Sequence, residues 1–155
     1  MSAGGEAEGA PGAARIAALI SRAREAAAGS PNRVRQVGAV LVSADGATEI
    51  ASCNTFPKGV RDNEERHLGD GRFVWMEHAE RNAIFEAARR GVATEGASLA
   101  TTFFPCIDCA RAIVQSGIAY LCTPPPEYGD PVWGEAFRRS RVIIGEGGVR
   151  MCFVA

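Results

Sequence analysis

The sequence lacks several features that mark common classes of protein. It has no apolar run long enough to cross a membrane, and its first residues show neither the basic start nor the apolar core of a secretory signal. Five cysteines, an odd number, argue against a disulfide framework. The net charge of −1 gives no overall field that would attract nucleic acid. These absences predict a cytoplasmic protein in a reducing compartment, with no membrane partner and with nucleic acid disfavoured as a ligand.

The remaining composition is that of one globular domain. A chain of 155 residues with a hydrophobic fraction of 46% can build a single core. Residues 1–13 are mostly Gly and Ala, with two Glu and no periodicity, and we predict that they form a disordered tail. Residues 14–155 are predicted to be the folded domain.

Hydrophobic periodicity alternates along this domain between helical and strand spacing. The order predicts an α/β fold, a three-layer α/β/α sandwich around a mixed sheet whose first two strands are antiparallel. The polar segment 54–76 is predicted to be a long loop that covers a functional site. Predicted helices lie near residues 16–27, 77–90, 105–117 and 131–146, and predicted strands near 37–42, 48–53, 97–103, 118–122 and 149–154.

Two cysteines have the spacing of metal ligands. Cys106 and Cys109 lie three residues apart after Pro105, a residue that favours a helix start. At such a start both thiols point the same way and can bind one Zn²⁺ ion. The positive end of the helix dipole also favours their thiolate forms. This pair therefore predicts a zinc site.

A second motif, His78-Ala79-Glu80, supplies the other groups that such a site needs. His78 is one of only two histidines in the chain and is predicted to be the third zinc ligand. Three protein ligands leave one tetrahedral position for water, the arrangement of a catalytic zinc. Glu80 can then reach that water without binding the metal, and is predicted to be catalytic.

The two motifs together are those of zinc nucleobase deaminases. The sequence resembles the deoxycytidylate deaminase-like branch of the cytidine deaminase superfamily. This resemblance implies a cytidine deaminase-like fold with a five-stranded sheet in the order 2-1-3-4-5. The stretches that carry the resemblance are residues 37–42, Asn54, and residues 57–60, 77–84 and 104–111.

The resemblance also implies a reaction. Water acidified by zinc would replace the exocyclic amine of a cytosine-type ring, and ammonia would leave. Glu80 would act first as a base and then as an acid. The favoured substrate is deoxycytidylate (dCMP), which gives dUMP, and relatives suggest a homo-oligomer. The alternative substrates are free, modified or damaged bases, including triazine and guanine-type rings, over which residues 128–133 could close.

Four residues are predicted to contact the substrate. The family uses an Asn at the position of Asn54 to hydrogen-bond the nucleoside or ring, and the backbone N–H of Ala79 is implied to hold the ring carbonyl. Phe56 and Phe104 are candidates to stack on the ring, with Phe104 preferred as the wall; Phe103 and Trp75 could also stack, although strand aromatics are more often core. A nucleotide also needs a phosphate receptor. The candidates near the predicted rim are Arg33, Arg35, Lys58, Arg61 and Arg72.

Three other interpretations remain open at this point. A structural zinc module would need a fourth ligand, for which Cys53 or His67 is available, although His67 fits better as a residue that orders its polar loop. A thioredoxin-like role for the two motif cysteines leaves the histidine and glutamate unexplained. Editing of tRNA or single-stranded DNA would need a basic groove. Cys122 and Cys152, like Cys53, are interpreted as small buried apolar residues.

Overall fold

A computed structural model of the protein describes residues 10–155. Residues 1–9 of the predicted tail lie outside the described residues, and the first helix already begins at Ala13. None of the helices formed by residues 10–155 has the length and apolar character needed to span a bilayer. The helices are α1 (Ala13–Ala27), α2 (Gly71–Trp75), α3 (Ala79–Arg90), α4 (Ile107–Gln115) and α5 (Gly134–Glu146), with a 3₁₀ helix at Glu64–His67.

Five strands form one mixed sheet in the order β2-β1-β3-β4-β5, which confirms the order implied by the resemblance. Strand β1 is antiparallel to both β2 and β3, whereas β3, β4 and β5 run parallel. All five residues of β1 are buried, because helices cover the sheet on both faces. The strands are β1 (Gly38–Val42), β2 (Glu49–Cys53), β3 (Ser98–Thr101), β4 (Tyr120–Thr123) and β5 (Arg150–Phe153).

The three predicted layers are present, with α1 on one face of the sheet and α3, α4 and α5 on the other. Leu19, Ile20 and Ala23 of α1 pack on the residues of β1 that face them. The approach is very close at Gly38, where an added Cβ atom would lie 1.8 Å from the Ala23 carbonyl oxygen. The opposite face holds the larger core. Its fully buried large side chains include Leu41, Ile50, Leu99, Ile113, Leu121, Phe137 and Ile144.

Helices α3, α4 and α5 begin two or three residues after their predicted starts, and α1 begins three residues before its own. Helix α3 begins at Ala79 because Glu77 is held in an antiparallel bridge, with backbone hydrogen bonds of 2.7 and 3.1 Å to Thr55. Helix α5 begins at Gly134 because the Asp130 carboxylate accepts the amide N–H groups of Val132 and Trp133 and forms a turn first. The predicted loop at 54–76 is also not wholly irregular, since it contains the 3₁₀ helix and α2.

Candidate active site

The site forms where two helices begin side by side. His78 is the N-cap of α3 and Cys106 is the N-cap of α4, and both have extended backbone conformations. Helix α3 is anchored by the bridge at Glu77, and α4 follows directly from β3 through Pro105. Because both helices present their positive ends, the local field favours thiolate and carboxylate groups.

The distances between the three candidate ligands fit a zinc ion. Nδ1 of His78 lies 3.4 Å from Sγ of Cys106 and 3.5 Å from Sγ of Cys109. Zn–N bonds of about 2.0 Å and Zn–S bonds of about 2.3 Å at tetrahedral angles place N and S about 3.5 Å apart. The donor atoms of all three residues lie within 4.8 Å of one another. This nitrogen and sulfur donor set therefore suits Zn²⁺.

Neither candidate for a fourth protein ligand joins this cluster. Among residues 10–155, the grouping that could hold a metal contains His78, Cys106 and Cys109 alone. His67 instead pairs with Asp62 inside the loop. A site with three protein ligands supports the catalytic interpretation over the structural one.

The two thiols of the site share one negative charge. Hydrogen bonds from Cys109 and His78 lower the pKa of Cys106 to about 4. The pKa of Cys109 is raised because it lies beside that thiolate and is buried. The hydrogen bond with Cys106 also raises the pKa of His78. A divalent cation between these groups would offset the repulsion and favour both thiolates.

Glu80 is buried beside the cluster and has only 3% of its surface exposed. Burial raises the pKa of its carboxyl group above the ordinary value. The Cys109 thiol donates to Oε2 of Glu80 over 3.5 Å. A carboxyl group that holds its proton more tightly than usual is suited to accept and return a proton near neutral pH.

A cleft opens above these groups. His78, Glu80 and Cys106 lie at its base, and loops from several parts of the chain form its walls. Most of the wall residues are aromatic, apolar or basic, a combination suited to a flat ring that carries an anionic group. The remaining lining residues are Asn32, Arg35, Val37, Asn54, Arg72, Phe73, Met76, Phe103, Phe104 and Trp133.

Two of the predicted substrate contacts lie in this cleft. Phe104 lines it and packs edge-on against Phe137, with ring centroids 5.4 Å apart. Asn54 also lines it, but its side chain already makes two backbone hydrogen bonds. Oδ1 accepts the Val37 amide over 2.8 Å, and Nδ2 donates to the Arg35 carbonyl over 2.9 Å. Oδ1 and Nδ2 can each make one further hydrogen bond, so Asn54 can stabilise the wall of the cleft and also bind a ligand.

The other two predicted substrate contacts, Phe56 and Ala79, are not among the residues that line the cleft. Phe56 does not line the cleft; its ring packs edge-on against His67 at 5.3 Å, so proximity in sequence to Asn54 was misleading. Ala79 is fully buried as the first residue of α3, and its carbonyl accepts the Ser52 hydroxyl over 2.7 Å. The helix does not use the N–H groups of its first turn, so the Ala79 amide can still serve a ligand.

Sequence reasoning missed part of the aromatic wall. Trp133 lies edge-on to His78 at 6.0 Å and to Phe73 at 5.7 Å, and together these rings close one side of the cleft. The segment 128–133 was proposed only as a closure over a small ring, and Phe73 was not considered. No sequence motif marks Trp133 or Phe73 as a site residue, because the packing of distant loops brings both to the site.

The predicted phosphate receptors separate into two groups. Arg35 and Arg72 line the cleft, where they stack on Phe103 at 4.1 Å and on Phe73 at 4.4 Å. Arg33 instead forms a bidentate pair with Glu64. The other two lie elsewhere: Lys58 pairs with Glu86, and Arg61 lines a separate surface depression.

Comparisons of the sequence with known families agree with this geometry. Residues 14–123 match the family model described as the cytidine and deoxycytidylate deaminase zinc-binding region. An uncharacterised deaminase of Aliivibrio fischeri is 32% identical over 120 residues, which cover 77% of this chain and 79% of that protein. A probable deoxycytidylate deaminase of Drosophila melanogaster is 30% identical over 127 residues, or 75% and 62% of the two chains. The deoxycytidylate deaminase of Enterobacteria phage T4 is 44% identical over 68 residues, which are only 35% of its length.

Solved structures share the fold. The dCMP deaminase of cyanophage S-TIM5, in complex with dCMP and dUMP, superposes with a TM-score of 0.78. The superposition covers 94% of this chain and all of that one, at 23% identity. The diaminohydroxyphosphoribosylaminopyrimidine deaminase/5-amino-6-(5-phosphoribosylamino)uracil reductase of Thermotoga maritima superposes with a TM-score of 0.61 at 25% identity. The superposition covers 89% of this chain and 36% of that one.

Proposed function

The chain belongs to the cytidine and deoxycytidylate deaminase family, a family of hydrolytic deaminases, and from that premise we propose that it converts dCMP to dUMP with Zn²⁺ as cofactor. The reaction replaces the exocyclic amine of the ring with oxygen and releases ammonia. The observation that carries the proposal is the cluster of His78, Cys106 and Cys109, within 4.8 Å of one another, beside the buried Glu80.

Each residue of the cluster has a defined part in the proposed reaction. His78, Cys106 and Cys109 would hold Zn²⁺, which supplies a water molecule acidified to a pKa of about 7. Glu80 takes a proton in the first half of the reaction. It gives that proton to the ring nitrogen, then takes the second proton from the oxygen added to the ring carbon and gives it to the leaving amine. Its burial keeps bulk water from competing for the proton.

The walls of the cleft would hold and orient the ring. Phe104 presents a buried apolar surface, and Trp133 stands edge-on to His78. A flat heteroaromatic ring between them gains contact area and excludes water from the reacting atoms. The Ala79 amide, at the positive end of α3, is placed to donate to a ring carbonyl.

The two arginines of the cleft support a nucleotide over a free base. Arg35 and Arg72 are each fixed over an aromatic ring, so little side-chain entropy remains to be lost when they bind an anion. Arg35 also faces the Asp130 carboxylate at 3.5 Å. A phosphate would compete with that carboxylate for the guanidinium group and would offer charge-assisted, bidentate hydrogen bonds.

A side-by-side assay tests the choice of substrate. Replacing Arg35 and Arg72 together by Ala should lower kcat/KM for dCMP by at least about 100-fold, because each charge-assisted bond contributes about 1.5–3 kcal/mol. Activity on deoxycytidine should change little. Arg33→Ala is the matched control, since that side chain is exposed and paired with Glu64 outside the cleft. Equal rates on dCMP and deoxycytidine in the unmodified protein would overturn the nucleotide proposal.

One observation favours the alternative, a deaminase of free or modified bases. The Asp130 carboxylate lies 3.5 Å from the guanidinium group of Arg35 and carries a negative charge beside the cleft; the amides of Trp133 and Val132 and two nearby arginines lower its pKa. That charge disfavours an incoming phosphate. If the alternative holds, cytosine or guanine turns over faster than dCMP, and Asp130→Asn leaves the preference unchanged. Under the nucleotide proposal, Asp130→Asn improves kcat/KM for dCMP.

We also propose that the chain assembles as a homo-oligomer. Leu68, Val74 and Phe85 are apolar side chains that expose 62%, 69% and 50% of their surface. Leu68 and Val74 border the same surface depression, whereas Phe85 borders another, and exposed apolar side chains often mark interfaces between chains. Light scattering should give a mass that is a multiple of the chain's 16.3 kDa, and a monomer at working concentration contradicts the proposal. A cytoplasmic location stays a prediction.

A further inference from the structure

We propose that Cys122 and Cys152 form a second functional cysteine pair, a dithiol that a small-molecule disulfide oxidises to a disulfide joining strands β4 and β5. This pair lies on the α1 side of the sheet, whereas α3 and α4, which carry the zinc ligands, cover the opposite side. Neither residue takes part in the proposed deamination, so the inference does not depend on it.

Strand register places the two residues opposite each other. Cys122 of β4 pairs with Cys152 of β5 in the parallel ladder, and paired residues point to the same face. Backbone hydrogen bonds fix the register on both sides, from Arg150 N–H to Ala119 O at 2.9 Å and from Val154 N–H to Thr123 O at 3.0 Å. Neighbouring strands lie about 4.8 Å apart, inside the Cα–Cα range of about 4.4–6.8 Å that a disulfide spans.

The two thiols differ in access. Cys122 has 1% of its surface exposed, under the residues of α1. Cys152 is half-buried, on the outermost strand, and borders a groove between α1 and the end of the chain. Ile16, Ile20 and Val154 also line this groove. A small reagent can therefore approach Cys152 but not Cys122.

The order of the chemistry follows from that asymmetry. Burial first, and then the neighbouring Cys152, raises the pKa of the Cys122 thiol to about 12. The Cys152 thiolate therefore attacks the reagent RSSR, forms a Cys152–S–S–R bond and releases one RS⁻. Cys122 then gives its proton to the released RS⁻. The resulting Cys122 thiolate attacks the Cys152 sulfur, which releases the second RS⁻. Two protein thiols are oxidised, and one RSSR is reduced to two RSH.

Glutathione disulfide in excess, added to the purified full-length protein, tests the proposal. The intact mass should fall by about 2 Da, the two hydrogen atoms lost, and a phosphine reductant should restore it. Peptide mapping should identify a link between Cys122 and Cys152. The melting temperature of the oxidised protein should rise by a few degrees, because the link restricts the unfolded chain.

Matched variants separate this pair from the other cysteines. Cys152→Ser and Cys122→Ser should each abolish the mass loss, and Cys152→Ser remains decisive if the buried Cys122→Ser fails to fold. Cys53→Ser, which removes another half-buried thiol, should keep it. The proposal is overturned if the protein keeps all its thiols, if glutathione stays attached to Cys152 as a stable adduct, or if the link maps to Cys106 and Cys109.

Discussion

The two cysteine pairs of this protein differ both in their spacing along the chain and in their surroundings. Cys106 and Cys109 lie within one helical turn, and Cys122 and Cys152 lie opposite each other on parallel strands. The first pair faces His78, at the positive ends of two helices. The second pair faces the apolar side chains of α1.

This difference decides which pair can ionise. Near His78, hydrogen bonds lower the pKa of Cys106 to about 4, so a thiolate is present at neutral pH. Under α1, burial raises the pKa of Cys122 to about 12, so that thiol stays protonated. Metal binding requires thiolates, and the first pair offers one at Cys106, beside His78, whereas Cys122 of the second pair offers none. The proposed metal ligands and the core cysteines are therefore the same residue type in two different environments.

Removal of metal should produce the largest difference between the two pairs. A strong chelator is expected to reduce deaminase activity to background. It should also make Cys106, which lines the cleft, react with a thiol-reactive dye, while the fully buried Cys122 stays unreactive. Dye titration before and after chelation measures this change. An unchanged number of reactive thiols would contradict the assignment of zinc to the first pair.

Cys109→Ala and Cys122→Ala provide a matched comparison, since both side chains are buried. Cys109→Ala should lose the bound zinc and at least about 10³-fold in kcat/KM, because a zinc ligand is missing. Cys122→Ala should keep full zinc and activity, and lose only about 1 kcal/mol of unfolding free energy through the small void. Metal analysis, kinetics and thermal melting check both. Similar zinc losses in the two variants would show that the pairs are not distinct.

The aromatic wall provides a test of intermediate size. Trp133→Ala should raise KM about 10-fold and leave zinc content unchanged, because contact worth about 1–1.5 kcal/mol is lost. Trp75→Ala is the control, since that ring lies outside the cleft, under Arg66 at a distance of 4.0 Å. Steady-state kinetics on dCMP distinguish the two. Equal KM values for both variants would remove Trp133 from the binding site.

Cys152→Ser should have the smallest effect under reducing conditions. The side chain is half-buried on an edge strand, and a hydroxyl there can reach water. We expect the melting temperature to change by less than about 3 °C, with zinc content and kcat/KM unchanged. Thermal melting with and without reductant measures this. A large loss of activity in reductant would mean that β5 supports the catalytic site directly.

The fold was predictable from sequence where local patterns dominate. Apolar residues at 37–42 indicated β1, and helical spacing indicated α1. Periodicity places the starts of α3 and α5 two or three residues early, because hydrogen bonds outside the helical pattern decide them. Thr55 holds Glu77 in a bridge, and Asp130 captures two amides before α5.

The base of the candidate site was more predictable than its walls. The spacing of His78, Cys106 and Cys109 specifies a donor set, and the structure brings the three together. The walls depend on how distant loops pack. Phe56 was therefore predicted in the cleft although it packs on His67, and Phe73 was overlooked although it lines the cleft.

The most direct test of the central claim is the activity of Glu80→Gln, measured on protein whose zinc content has been determined. Gln keeps the size of the side chain but cannot carry the proton, so kcat should fall by about 10²–10⁴-fold while one zinc per chain remains. Deamination at the unmodified rate in a zinc-loaded Glu80→Gln protein would contradict the account.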